Sequence, residues 1–284
     1  MKKIINRLIV FFIGFPALLL AIIFFPHLNH LLLNLALITF SILGALEFRN
    51  VLVHKSLTLS LPEAVIFGAA MPAAWTAVVS FGVTGNVVQI AFVFGAIWLL
   101  VSIIFEKSEN FTSSINRIAA GFAIIIYPGF FLAWIVQMAA LSHSEMVITV
   151  FFLVAFLNDG AAWLAGMLFG KNNRGIIKAS PKKSIAGFIG GLFASVLTGS
   201  MAAVIVPVAF ISKLMPSVPA GAILGLFAGA AAILGDLGES AIKRSAGVKD
   251  SGTLIMGRGG ALDSIDSLAL AAPVYYLIYQ VLFI

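Results

Sequence analysis

Long apolar runs broken by short polar stretches set the plan of this chain. A membrane-crossing helix needs roughly 17–25 mostly apolar residues. Nine runs meet that length: 8–25, 29–48, 63–82, 86–105, 119–141, 146–168, 185–211, 219–240 and 262–283. The pattern predicts an all-α polytopic membrane protein. The seventh run is long enough to tilt or break. The sixth, eighth and ninth carry acidic residues toward one end. The first, after the basic stretch Met1 to Arg7, is expected to span rather than to be a cleaved leader, because no small-residue cleavage pattern follows it.

The polar positions orient these runs. With the N-terminus in the cytoplasm and strict alternation, every lysine and arginine except Lys213 falls on the cytoplasmic side, out of 17 in all. That asymmetry is what the positive-inside rule requires, and an error of one span in the middle would scramble it. The C-terminus is then outside. The outside loops are short, whereas cytoplasmic loops 169–184 and 241–261 are long and polar. Two regions are expected: 1–145 with spans one to five, and 146–284 with spans six to nine and both polar loops.

Composition sharpens this in three ways. The chain is 61% apolar and 10% charged, against about 45–50% and 25% for soluble domains. It has no cysteine, which excludes a thiolate nucleophile and cysteine-ligated metal. Its net charge of +6 reads first as topology and second as an anionic ligand; no nucleic-acid partner is expected.

Candidate chemistry gathers in two places. The stretch Gly235-Asp236-Leu237-Gly238-Glu239-Ser240 leads into Lys243 and Arg244 at the cytoplasmic end of span eight. On a helix Asp236, Glu239, Ser240, Lys243 and Arg244 share one face, carboxylates first and cations after. Asp236 and Glu239 suit a hard divalent ion, and the cations suit phosphate oxygens. The bland alternative is a salt-bridged helix end. Beyond lie Lys249, Asp250, then Arg258-Gly259-Gly260, then Asp263 and Asp266 at the start of span nine. Gly259 and Gly260 would let backbone amides approach an anion. Capping of a helix start explains one of Asp263 and Asp266 but less well the pair.

The second place is Asn158-Asp159-Gly160-Ala161-Ala162-Trp163 in span six and the following loop, with Lys182, Lys183 and a capping Ser184 before span seven. Asp159 lies deep for a charged residue; its alternative is an interhelical hydrogen bond. The lysines suit a polyphosphate at a helix start, or simply cytoplasmic topology. Glu47 and Arg49 read as an interfacial ion pair. The histidines lack metal-ligand spacing, and Trp163 with the other tryptophans reads as packing or interface anchoring.

At these residues the chain resembles the phosphatidate cytidylyltransferases (CDP-diacylglycerol synthases). Their signature S-x-x-K-R-x-x-x-x-K-D, then H-G-G-x-x-D-R-x-D, is matched by Ser240, Lys243, Arg244, Lys249 and Asp250, then by Arg258, Gly259, Gly260, Asp263, Ser264 and Asp266. Gly235, Asp236 and Glu239 match the preceding G-D-x-x-E. Asp159 to Gly166, Phe169-Gly170-Lys171 and Ser180 to Gly191 resemble upstream family stretches. Residues 150–284 carry the match; the first half agrees in hydropathy and span count. Arg258 stands for the family histidine, Ser264 for an arginine, Ser184 for a threonine and Trp163 for a tyrosine.

The resemblance implies transfer of a cytidylyl group from CTP to phosphatidate, yielding CDP-diacylglycerol and pyrophosphate at the cytoplasmic face of the cell membrane. It implies Mg2+, is compatible with a second and even monovalent metal ion, and implies a homodimer among membrane lipids. On this reading Asp236 and Asp263 are core metal ligands with Glu239 and Asp266 beside them. Lys243, Arg244, Lys249 and Arg258 clamp phosphates, with Ser240 and Asp250 in the same motif. Lys182 and Lys183 close over the nucleotide, and Asp159 faces the cavity. Arg258 and Ser264 leave open another lipid phosphate or a lipid alcohol as acceptor. An ion-coupled transporter using the intramembrane acids is the rival from another class.

Overall fold

The computed structural model describes residues 10–105, 113–255 and 259–284. Among them every regular element is helical, apart from isolated bridges Arg174–Ser184 and Ile255–Gly259. A π-helical turn precedes α1 (Phe15–Phe24). There follow α2 (His27–Val53), α3 (Leu61–Phe81), α4 (Asn86–Ser102), α5 (Ser114–Met138), α6 (Ser144–Phe169), α7 (Ile185–Ile205), α8 (Ser217–Ser245) and α9 (Leu262–Phe283). Seven of these, α2, α3 and α5 to α9, are long and apolar enough to cross a membrane. The shorter apolar helices Phe12–Phe24 and Asn86–Ser102 stand where the first and fourth runs were expected.

Local chemistry explains the ends. Ser60 and Glu63 form a reciprocal capping box at the start of α3, satisfying amides that a helix leaves open. Ser184 caps α7 as expected, its hydroxyl accepting from the Gly187 amide at 3.1 Å. The seventh run breaks: α7 ends at Ile205, and Pro207 opens a short 3-10 turn. Proline has no amide to donate and its ring clashes with the preceding turn. The eighth run was expected to end at 240, but α8 continues to Ser245. Lys243 and Arg244 in its last turn favour that extension by facing the negative end of the helix dipole.

The chain forms two compact units, one of residues 1–140 with Ser245–Ile265, the other of Leu141–Arg244 with Asp266–Ile284. In the first, α2 packs along α3 and α3 against α4 and α5. Ser41 in α2 donates to the carbonyls of Gly68 and Pro128, at 2.6 and 2.7 Å. Gly68 has no room for a side chain, since a Cβ there would meet Ala45 and the Ser41 carbonyl. In the second unit α6 packs along α7. Small residues let α7 and α8 touch backbone to backbone, Gly199 against Gly221 and Ser195 against Gly225. Close approach of this kind replaces the hydrophobic driving force that lipid removes. Tyr275 and Tyr279 of α9 donate to the carbonyls of Val147 and Ala209, at 3.0 and 2.6 Å.

Candidate active site

The second unit gathers four carboxylates. Asp159 comes from α6, Asp236 and Glu239 from α8, and Asp266 from α9; the charges of the first three all act on Asp266, which is buried. Two glycine-dependent packings produce this gathering. A Cβ on Gly235 would strike the Asp266 carbonyl, so α8 and α9 can close only with glycine there. Next to Asp159, the Asn158 amide donates to Ser195 Oγ at 2.8 Å and to the Gly229 carbonyl at 3.3 Å, tying α6, α7 and α8 together.

Lysines answer two of these acids. Lys183 pairs with Asp236, and Lys243 pairs with Glu239 one turn away on α8. Glu239 and Lys243 are both buried; Asp236 and Lys183 keep side-chain exposures of 30% and 25%. The Ser240 hydroxyl lies 3.5 Å from Asp236 Oδ1. The predicted face of α8 therefore exists and reaches across to the loop before α7. Lys182, Arg244, Lys249 and Asp250 are exposed.

Asp266 carboxylate Oδ1 accepts from its neighbour Ser267, from the amide at 2.6 Å and the hydroxyl at 3.1 Å. Like charges crowded in a low-dielectric setting repel and call for cations. All four donors are oxygens, the chemistry a hard divalent ion takes. Among the described residues no three acidic or histidine side chains converge on one point as a ready coordination sphere. The donor set fits Mg2+ in kind, with lysine ammoniums standing against Asp236 and Glu239.

Asp263 sits in the first unit, in a different setting. Its Oδ2 accepts from the Ser251 amide at 3.0 Å, the Ser251 hydroxyl at 2.9 Å and the Gly260 amide at 2.7 Å. Gly259 holds a φ of +115°, a conformation that only glycine adopts cheaply, and a Cβ there would press on Asp263. The Ile255 and Gly259 backbones bond reciprocally, at 2.8 and 3.1 Å. Ser264 donates to the Gly260 carbonyl at 3.2 Å. Arg258, expected to hold phosphate, lies outside the described residues.

Glu47 and Arg49 do not pair. Arg49 donates instead to the Leu59 carbonyl at 2.6 Å and to Asn50 at 3.1 Å. Residues two apart on a helix point to different faces, which is why the expected pair fails. Glu47 reaches Ser251 and Leu262, and sequence reasoning missed that role. One signal was available: a carboxylate near the end of an apolar run, with Leu43, Gly44, Asn50 and Val51 at the facing positions and so no cation among them.

Helices throughout the described residues, seven of them long and apolar enough to cross a membrane, and carboxylate–lysine pairs at one helix end define the class of a polytopic membrane protein with a polar, charged site. A sequence model of the cytidylyltransferase family matches residues 5–282, and the chain belongs to that family. Similar proteins include uncharacterized protein YnbB of Escherichia coli, 33% identical over 174 residues, 59% of this chain and 54% of the relative. The phosphatidate cytidylyltransferase of Aquifex aeolicus is 33% identical over 156 residues, 55% of this chain and 54% of the relative. That of Thermotoga maritima is 30% identical over 204 residues, 68% and 69% of the two chains. In the first two alignments the chain spans about half the length of the relative.

Proposed function

We propose that this protein transfers the cytidylyl group of CTP to phosphatidate, forming CDP-diacylglycerol and releasing pyrophosphate. The observation that carries the reading is the cluster of Asp159, Asp236, Glu239 and Asp266 with Lys183 and Lys243 set against it, inside a member of the cytidylyltransferase family. An oxygen of the lipid phosphate attacks the α-phosphorus of CTP in line, the bond to the β-phosphate oxygen breaks, and pyrophosphate leaves. Both phosphates are already ionised, so the protein need supply no strong base; it must position them and neutralise charge.

Each residue has a part in that reading. Lys182 and Lys183 hold the nucleotide phosphates, and Lys183 exchanges Asp236 for phosphate as CTP arrives. Lys243, Arg244, Lys249 and Arg258 balance the triphosphate and the lipid phosphate; Ser240 and Asp250 belong to the same motif. Asp159 borders the same polar space. Asp236, Glu239 and Asp266 would supply oxygen ligands to Mg2+ within the second unit once Lys183 and Lys243 turn from them to phosphate, and Asp263 is the carboxylate that the first unit contributes to the motif. Bound Mg2+ supplies positive charge to the departing pyrophosphate. Gly259 and Gly260 shape the loop before α9.

The proposal includes nine spans, with α4 crossing as about 25 Å of helix, the N-terminus cytoplasmic and the C-terminus outside. The active site then opens to the cytoplasm from the inner membrane, and the protein works as a homodimer. One feature favours a second acceptor: Ser264 stands where the resembled family carries arginine, so a lipid phosphate other than phosphatidate is the alternative. The experiment is incubation of purified protein with labelled CTP and a panel of lipid phosphates, read by lipid mass spectrometry and pyrophosphate release. Label in CDP-diacylglycerol supports the reading; label only in another lipid moves the substrate; no label in any lipid overturns it.

A further inference from the structure

Glu47 occupies the middle of the loop that precedes α9. Its Oε2 accepts from the Ser251 hydroxyl at 3.0 Å and from the amide of Leu262, the first residue of α9, at 2.9 Å. The same Ser251 hydroxyl lies 2.9 Å from Asp263 Oδ2. One proton is thus shared between two carboxylates, and the Ser251, Gly260 and Leu262 amides donate to them as well. A helix N-terminus favours negative charge in this way. Gly44, one turn before Glu47 on α2, meets Ile265 and Leu262, so the whole face of α2 at this level is fitted to the start of α9.

The glycines confirm how tightly the carboxylate is held. The nearest atoms a Cβ on Gly252 would meet all belong to the Glu47 side chain. A Cβ on Gly260 would meet Glu47 and Ser251. Gly260 was expected to be glycine so that an anion could approach the backbone. Here the space is filled by the chain's own carboxylate.

We propose that Glu47 is a positioning residue of the transferase: it holds Ser251 and the Leu262 amide and so sets the Asp263 carboxylate, and Gly252 is glycine to admit it. The inference rests on the transferase reading for its catalytic arm only. Glu47 touches no reacting atom; it acts through Ser251 and the first turn of α9. Misplacing a catalytic group by about 1 Å costs on the order of 100-fold in rate, which sets the scale of the effect.

The test uses the full-length protein in detergent with three variants: Glu47→Gln, Gly252→Ala and the double variant Glu47→Ala/Gly252→Ala, with Glu47→Ala as reference. Glu47→Gln keeps the shape and one acceptor, so it should fold; kcat should fall about 10- to 100-fold while KM for CTP stays within about twofold. Gly252→Ala should imitate it by pushing the carboxylate aside. In the Glu47→Ala background the alanine at 252 should add nothing to the loss of kcat or to the fall in melting temperature, because both act through one contact. Unchanged kcat in Glu47→Gln, or a loss fully accounted for by less folded protein, overturns the positioning role. Additive melting shifts in the double variant overturn the contact. If the wild type transfers no cytidylyl group, the transferase reading falls instead, while the melting comparison still decides the contact.

Discussion

Two buried carboxylate sites, one in each unit, answer opposite questions. In the first unit Glu63 is fully served. Its Oε2 accepts from the Ser60 amide and hydroxyl at 3.1 and 2.6 Å; its Oε1 accepts from Trp98 at 2.9 Å and from Arg117 at 2.5 Å. Arg117 is further held by Ser102, at 3.2 Å. Each lone pair has a donor, so this charge serves the fold, stapling α3, α4 and α5 near their ends. In the second unit Asp266 accepts, among the described residues, only from its neighbour Ser267, and the charges of Asp159, Asp236 and Glu239 bear on it. Placing like charges together in apolar surroundings is costly. A cluster of that kind is what a cation and a phosphate ligand would relieve. The lesson is that an acidic residue inside a span becomes a functional candidate by the company it keeps, not by its depth.

The largest expected effect falls on the second cluster. Asp266→Asn and Asp236→Ala should each reduce CTP-dependent pyrophosphate release by about 100-fold or more, with insertion and yield retained; near-normal turnover in either would erase the contrast between the clusters. Lys183→Met should come next. It should raise KM for CTP about tenfold, the loss of one charge-assisted contact, while Mg2+ saturates the protein at lower concentration because Asp236 is released. Titration of melting temperature against Mg2+ reads the second effect without turnover, and an unchanged midpoint would separate Lys183 from the metal.

The first cluster should respond in stability alone. Glu63→Ala should lower stability by about 2 kcal/mol, after discounting for the partial exposure of Arg117, and leave kcat per folded molecule within about twofold. A selective loss of kcat at unchanged melting temperature would show that the two clusters do not differ in kind. The smallest change is Ser60→Ala. Removing the cap should cost about 1 kcal/mol, visible as a small drop in melting temperature and nothing in the transfer assay.

How far these features were legible depends on their range along the chain. Helix positions are local: seven of the nine apolar runs coincide with helices long enough to cross a membrane, and the first and fourth meet the shorter apolar helices Phe12–Phe24 and Asn86–Ser102, because lipid-compatible segments must satisfy their own backbone. The break at Pro207 and the cap at Ser184 were equally local. The face of Asp236, Glu239, Ser240 and Lys243 followed from helical spacing on α8. Lys183 as partner of Asp236, 53 positions away, did not, although both were singled out separately. Glu47 was missed because its partner Ser251 lies 204 positions on, and the nearer Arg49 offered a false match.

The sequence alone determined the apolar runs, the cap at Ser184, the inventory of carboxylates and cations, and the cytidylyltransferase signature, since each is written in short-range spacing and composition. Only the tertiary structure decided which charge meets which. It set Lys183 on Asp236, brought the charges of three acids to bear on Asp266, placed Glu47 against Ser251, Gly260 and Leu262, and left Glu63 wholly satisfied. The reason is physical: helical periodicity fixes a face within a few residues, whereas a pairing between distant helices depends on how closely their backbones approach, and glycines at 235 and 252 make that approach possible without displaying it.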